Sequence, residues 1–272
     1  MNESTAGAAQ SALGLELPAP PIALLQMAAL MAEPTCDLDT LADIIEADMA
    51  LSSALLRAVN SAFFKLSGRV QTVREAITYL GHREVSSITL QNGLRAAFPP
   101  ATELEALWQR ATERSRWMGV VAQALGFDAW AAHSAGLFEE CGKALLFRHA
   151  PSAYRSIWAQ APVDDASLVA LEMQAFGASH DILGAALCET WGLQAAAVHS
   201  VRHHVEMQAT LVLAGPVGHQ RIAAVSVLAH HASEPALDLE RCIETISQQL
   251  DLPSARVKAA MPSPRLGPAA ST

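Results

Sequence analysis

The side chains able to do chemistry are concentrated between Ser134 and His204. Two vicinal acids, Glu139-Glu140, stand three positions before Lys143, and His180 and the pair His203-His204 follow downstream. Carboxylate oxygens bind hard cations and imidazole nitrogens suit zinc, nickel or iron. One reading is therefore a ligand cluster of His180, His203 and His204 joined by Glu140. The other reading needs no metal. Glu139-Glu140 beside Arg110 and Lys143 would form a buried or half-buried ion-pair network, while His203-His204 would sit at a helix C-terminus, where the helix dipole favours cationic imidazoles. No carboxylate–histidine pair of the kind that orients a metal ligand can be identified from sequence. Arg110 and Arg114 are i, i+4 neighbours able to hold a phosphate or an acidic partner, although a solvated helix face is the plainer account. No glycine-rich phosphate loop or Ser-His-Asp spacing is present.

The elements that must position these residues all read as helices, because apolar residues recur at helical spacing and no segment alternates with period two. Leu17-Pro18-Ala19-Pro20-Pro21 sets up a first helix carrying Ile22, Leu25 and Ala29, proline being suited to a first turn. Asp37 or Asp39 caps the next, and Asp48 caps a third bearing Leu51, Leu55, Leu56 and Val59. Asn60-Ser61-Ala62-Phe63-Phe64 interrupts the pattern, with its aromatics expected between subdomains. Thr72-Val73-Arg74-Glu75 is a capping box. A short helix then ends at Gly81 and another runs to about Phe98. Pro99-Pro100 is the candidate boundary between two helical subdomains. A long helix follows, with Leu104, Leu107, Ala111, Met118, Val121 and Leu125 inward and Gly126 as its stop. Asp128, Pro151, Asp164 or Asp165, and Ser179 open later helices. A helix from Gln194 to His204 gives way to a loop over 206–218, and helices over 219–232 and 239–250 close the pattern. The organisation expected is a disordered lead-in (1–14), an N-terminal helical subdomain (15–98), a second helical subdomain (101–260) and a loose tail (261–272). Leu55, Ile77, Leu107, Leu183 and Leu187 are expected in the core.

Composition narrows the function classes. The 272 residues are 51% apolar with a formal net charge of −9. That balance argues against general nucleic-acid binding, which rests on lysines and arginines neutralising phosphates. Helices between Thr72 and Phe98 could pass for a helix-turn-helix, but Arg83 and Arg95 are too few cations for groove binding. No apolar run approaches the length of a bilayer span, and the N-terminus lacks a basic cluster before an apolar core. A soluble, cytoplasmic protein is expected. The cysteines (Cys36, Cys141, Cys188, Cys242) are scattered, so reduced and mostly buried thiols are expected.

Taken in order, Leu17-Pro18-Ala19-Pro20-Pro21, Asp48-Met49-Ala50-Leu51, Asn60-Ser61-Ala62-Phe63-Phe64, Val70-Gln71-Thr72-Val73-Arg74-Glu75-Ala76-Ile77, Leu80-Gly81, Glu172, Phe176-Gly177, Ser179-His180, Leu183-Gly184, Trp191-Gly192-Leu193 and His203-His204 resemble the HDOD domain, the HD-related output domain of bacterial signalling proteins. The likeness spans roughly residues 15 to 232. It implies an all-α fold, an N-terminal helical bundle packed on an HD-like helical core, and a non-catalytic relative of the HD phosphohydrolases. Those enzymes hold one or two metals through an early histidine, a His-Asp pair, further histidines and a late aspartate, and the metal activates water. The resemblance aligns these positions with Arg110, Glu139-Glu140, His180, His203, His204 and His230, a vestigial set with no metal or cofactor expected. An arginine in the ligand shell would repel a cation and cannot release its proton.

The reading that follows is a stand-alone regulatory module without an attached receiver, cyclase or phosphodiesterase segment. It would act by binding another signalling protein, with no membrane or nucleic acid as partner. Two alternatives stand beside it. One is a metal-dependent phosphohydrolase of a nucleotide or cyclic dinucleotide. The other is a sensor holding a small phosphorylated ligand between Arg110, Glu140 and His180. If the vestigial groups converge, Glu140, His180 and His203 or His204 should share one pocket, with a buried Arg110–Glu140 pair filling the space of the metal.

Overall fold

The computed structural model describes residues 14–33, 35–61, 69–160, 164–234 and 236–262, and all regular structure within them is helical. The lead-in, the tail beyond residue 262 and the Phe63-Phe64 aromatics lie outside the described residues. The N-terminal half comprises α1 (Ile22–Ala32), α2 (Leu38–Glu46), α3 (Met49–Val59), α4 (Val73–Leu80) and α5 (His82–Ala96). Its helices start where side chains satisfy the first free N–H groups. Asp37 accepts from Asp39 N, Asp48 from Ala50 N and Leu51 N, and Thr72 from Glu75 N, while Glu75 reaches back to Gln71 N. Leu51, Leu55 and Val59 on α3 share one buried stripe, each contributing roughly 1.5–3 kcal/mol of burial. Asn60 spans the interrupted segment, its side chain donating to Val70 O and accepting from Val70 N at 2.8 and 2.9 Å.

After Pro99-Pro100 come α6 (Thr102–Leu125), α7 (Ala129–Phe138), α8 (Cys141–His149), α9 (Pro151–Gln160), α10 (Asp165–Phe176), α11 (His180–Thr190), α12 (Ala195–Thr210), α13 (Val217–Ser233), α14 (Leu239–Gln249) and α15 (Ser254–Ala260). The long α6 lies along α7, α8 packs on α11, and α11, α12 and α13 pack in succession. Gly126 ends α6 in the left-handed region. One apolar core runs through both halves and contains all five residues expected there, Leu55, Ile77, Leu107, Leu183 and Leu187. The N-terminal segment is tied to the second half directly. Trp191 Nε1 donates to Pro18 O at 2.9 Å, Arg148 donates to Glu16 O, and the Trp191 ring meets Phe138 edge-on. The four cysteines are free thiols, three of them buried.

Two boundaries differ from the sequence reading. Helix α12 does not stop at His204 but continues to Thr210, because Val205, Met207 and Gln208 keep its buried face going and the stop comes only at Leu211, with φ 60°. His203 and His204 therefore lie inside a helix, and the C-terminal dipole account of them fails. Helix α15 was not anticipated. Val257 and Ala260 bury it, and Arg256 donates to Leu125 O at 2.8 Å.

Candidate functional site

The two acids sit at the joint between α7 and α8, Glu139 closing one helix and Glu140 opening the other. This junction is pressed against the start of α11 so closely that a Cβ on Gly142 would lie 1.8 Å from His180 O, so only glycine fits there. The packing brings α6, α8, α10, α11 and α12 to one buried locus.

There the acids meet the protein's own cations. Arg114 Nη1 lies 2.6 Å from Glu139 Oε2, and their side chains are 14% and 1% exposed. Lys143 Nζ, equally buried, bridges Glu140 Oε2 at 3.3 Å and Asp165 Oδ1 at 2.8 Å. Burial alone would lower the Arg114 and Lys143 pKa values, but Glu139, Glu140 and Asp165 outweigh it and hold both cations more firmly charged than usual. Burial likewise pushes the Glu140 and Asp165 carboxyls up, yet Lys143 and other nearby cations hold both well below the usual carboxylate range.

A second group abuts the first. Glu172, fully buried on α10, accepts from Tyr154 OH (2.5 Å), His180 N (2.8 Å) and His180 Nδ1 (2.7 Å). Ser179 occupies the N-cap position of α11 but does not cap it; its hydroxyl donates to Asp181, and the His180 N–H goes to Glu172 instead. The His204 Nδ1–H donates to Val201 O at 2.7 Å, and the two imidazoles face each other with ring centroids 5.4 Å apart. Asp165, His180 and His204 each offer a ligand atom within 4.8 Å of the others.

Of the residues expected here, Glu139, Glu140, His180 and His204 converge. Three expectations are corrected. Arg110 does not form the buried bidentate pair: its side chain is 56% exposed and makes one 3.4 Å contact with Glu140. Arg114, one turn further on, is the arginine that turns inward, its side chain 14% exposed, so the solvated-face account of it fails. His203 is outside the locus. Successive helical residues point about 100° apart, and His203 packs on His199 with centroids 4.7 Å apart and lies 3.9 Å from Glu206. His230 is half-buried, within electrostatic reach of Arg114, Asp165 and Glu139, and burial followed by the Arg114 charge lowers its pKa to about 4. Sequence reasoning missed Asp165 and Tyr154 as members of the site. Asp165 was readable only as a possible cap, a task that Asp164 performs.

The family model of the HDOD domain matches residues 17–207. The chain belongs to the HDOD domain family. In this HDOD chain, the motifs that carry the likeness meet in space, Pro18 on Trp191 and Glu172 on His180. The chain is 25% identical over 192 residues to an uncharacterised protein of Treponema pallidum, covering 70% of this chain and 37% of that protein. In solved structures it resembles a candidate signal transduction protein of Marinobacter aquaeolei VT8 (22% identity, TM-score 0.74, 92% of this chain and 56% of that one). It also resembles a candidate phosphohydrolase of Shewanella amazonensis SB2B (16% identity, TM-score 0.69, 95% of this chain and 93% of that one). The chain thus spans well under two thirds of the length of the first two. These likenesses establish the shared helical fold. The two-metal arrangement of HD hydrolases does not fit the residues present, since a guanidinium lies on Glu139 and an ammonium on Glu140.

Proposed function

We propose that this HDOD chain is a non-catalytic regulatory module of signal transduction that works by binding another protein. The observation that carries the reading is the pairing of Arg114 with Glu139 and of Lys143 with Glu140 and Asp165. Hydrolysis on an HD site needs carboxylates free to hold a cation that polarises phosphate and activates water. Here two fixed positive charges neutralise Glu139 and Glu140, which the resemblance aligns with the His-Asp pair, and each would repel a metal held by those two acids. A water-soluble, cytoplasmic setting without nucleic-acid partners belongs to the same reading. It is consistent with the acidic net charge and with the finding that, among the described residues, no helix is long and apolar enough to cross a membrane.

The test has two arms. Purified protein is assayed against cyclic dinucleotides and nucleoside phosphates with Mg²⁺, Mn²⁺ or Fe²⁺. No turnover above that of His204→Ala is expected, and metal-stimulated turnover lost in that variant would overturn the reading. Affinity capture from the source cells, followed by reconstitution with the purified candidate, should give a saturable complex. Failure of every captured candidate to bind in purified form would overturn the partner-binding part.

A further inference from the structure

We propose that Asp165, His180 and His204 form a site for one divalent transition-metal ion, separate from the glutamates that Arg114 and Lys143 neutralise. The proposal goes beyond the regulatory reading and does not depend on it. Three observations carry it.

The first is convergence. The candidate ligand atoms of the three residues lie within 4.8 Å of one another. Two ligands about 2.1 Å from one tetrahedral zinc-sized ion are about 3.4 Å apart, so side-chain rotations that close the longest gap by up to about 1.4 Å bring the three atoms onto one ion.

The second is orientation. Both histidines spend Nδ1–H on a fixed acceptor, Glu172 for His180 and Val201 O for His204. In the neutral form of each ring that leaves Nε2 as the lone-pair nitrogen, so binding an ion at His180 displaces the proton that Glu172 favours. Carboxylate–imidazole and carbonyl–imidazole contacts of this kind hold metal-binding histidines in the ligating tautomer. Glu172 is itself fixed by Tyr154 and the His180 backbone N–H.

The third is an unmet requirement. His180 Nε2 is fully buried and has no hydrogen-bond partner. A buried polar atom left unpaired costs about 1–3 kcal/mol, and an ion among the three residues would satisfy it.

The ligand set selects the ion. Two imidazoles and one carboxylate suit zinc, cobalt, nickel or ferrous iron, whereas Mg²⁺ and Ca²⁺ prefer oxygen ligands. Access is from the Asp165 side, where the side chain is 22% exposed. The competitor is Lys143, 2.8 Å from Asp165. It has a second acceptor in Glu140 at 3.3 Å, so the ammonium can remain paired when Asp165 turns to an ion. Lys143 thus weakens binding without abolishing it.

The test uses the full chain, stripped with chelator and titrated with Co²⁺, whose visible absorption reports its ligands, and with Zn²⁺ by calorimetry. One ion per chain is expected. Lys143→Met should bind at least tenfold more tightly. Asp165→Asn and His204→Gln should bind at least tenfold more weakly with unchanged helical content by circular dichroism. His203→Gln should bind like the natural chain. The proposal is overturned if the natural chain takes up less than one equivalent, whatever Lys143→Met does. It is also overturned if Asp165→Asn and His204→Gln bind undiminished, or if His203→Gln is the change that removes binding. Asp165 is partly exposed, and in Asp165→Asn the Lys143 ammonium keeps Glu140 as its partner, so that arm stands even if His204→Gln folds poorly.

Discussion

Removing Arg114 should be one of the most damaging single changes to this fold. Its guanidinium is 2.6 Å from a Glu139 carboxylate that is 1% exposed, and the other oxygen of that carboxylate, Oε1, has no hydrogen-bond partner. In Arg114→Met the side chain keeps its apolar bulk along α6 while Glu139 is left as an uncompensated buried charge. Breaking a buried pair in this way costs about 3–5 kcal/mol, a large share of the roughly 5–15 kcal/mol that separates folded from unfolded states. Urea unfolding followed by circular dichroism measures it. With a slope of roughly 3 kcal/mol per molar, a loss of about 3 kcal/mol moves the midpoint by about 1 M. Arg114→Met combined with Glu139→Gln removes both charges and should recover at least about half of the loss. Arg110→Met is the internal control. Its side chain is 56% exposed with a single 3.4 Å contact, so it should cost no more than about 1 kcal/mol. The reasoning fails if Arg114→Met unfolds within about 1 kcal/mol of the natural chain, if Arg110→Met is equally damaging, or if the double variant is no better than Arg114→Met alone.

Gly142→Ala should destabilise by more than about 3 kcal/mol, since its Cβ would lie 1.8 Å from a backbone oxygen. Gly218→Ala, in α13 with open space around the added carbon, should be neutral or stabilising by up to about 1 kcal/mol; equal midpoints for the two variants would refute the close-approach argument. His133 is pushed down to about 4, first by burial and then by the Arg116 charge. Between pH 6.5 and 4 the unfolded chain takes up this proton and the native one does not, so native stability falls as pH falls through that window, by roughly 3 kcal/mol for this residue. His133→Gln should flatten that part of the pH–stability curve, and an unchanged slope would count against the assignment. Glu140 is held low by Lys143 against its burial. Its contribution is therefore present above about pH 4.5 and lost as pH falls further into the acid range. Urea midpoints below pH 4.5 should fall less steeply in Glu140→Gln combined with Lys143→Met than in the natural chain; parallel slopes would refute the coupling.

The helices themselves were written locally. Asp48, Thr72 with Glu75, Asp128 and Gly126 act within a few residues of where they stand, so short-range chemistry reveals them, and the 3.6-residue stripes select the core side of each helix. The vicinal acids, His180 and His204 were also legible as residues that converge. Their partners were not. Arg110 and Arg114 are equivalent in sequence, one turn apart on a single helix, and only the way α6 lies across the α7–α8 joint buries one and leaves the other in water. Asp165 lies 22 positions beyond Lys143, the span between them crossing α9, and nothing local distinguishes it from a capping aspartate. The end of α12 was misplaced because no proline or glycine marks it; burial of Met207 and Gln208 against neighbouring helices carries the helix past His204. What the sequence determined was therefore the set of helices and the side chains turned inward. Which charge meets which was decided by tertiary packing, because ion pairing depends on distances across helices that no repeat in the chain encodes.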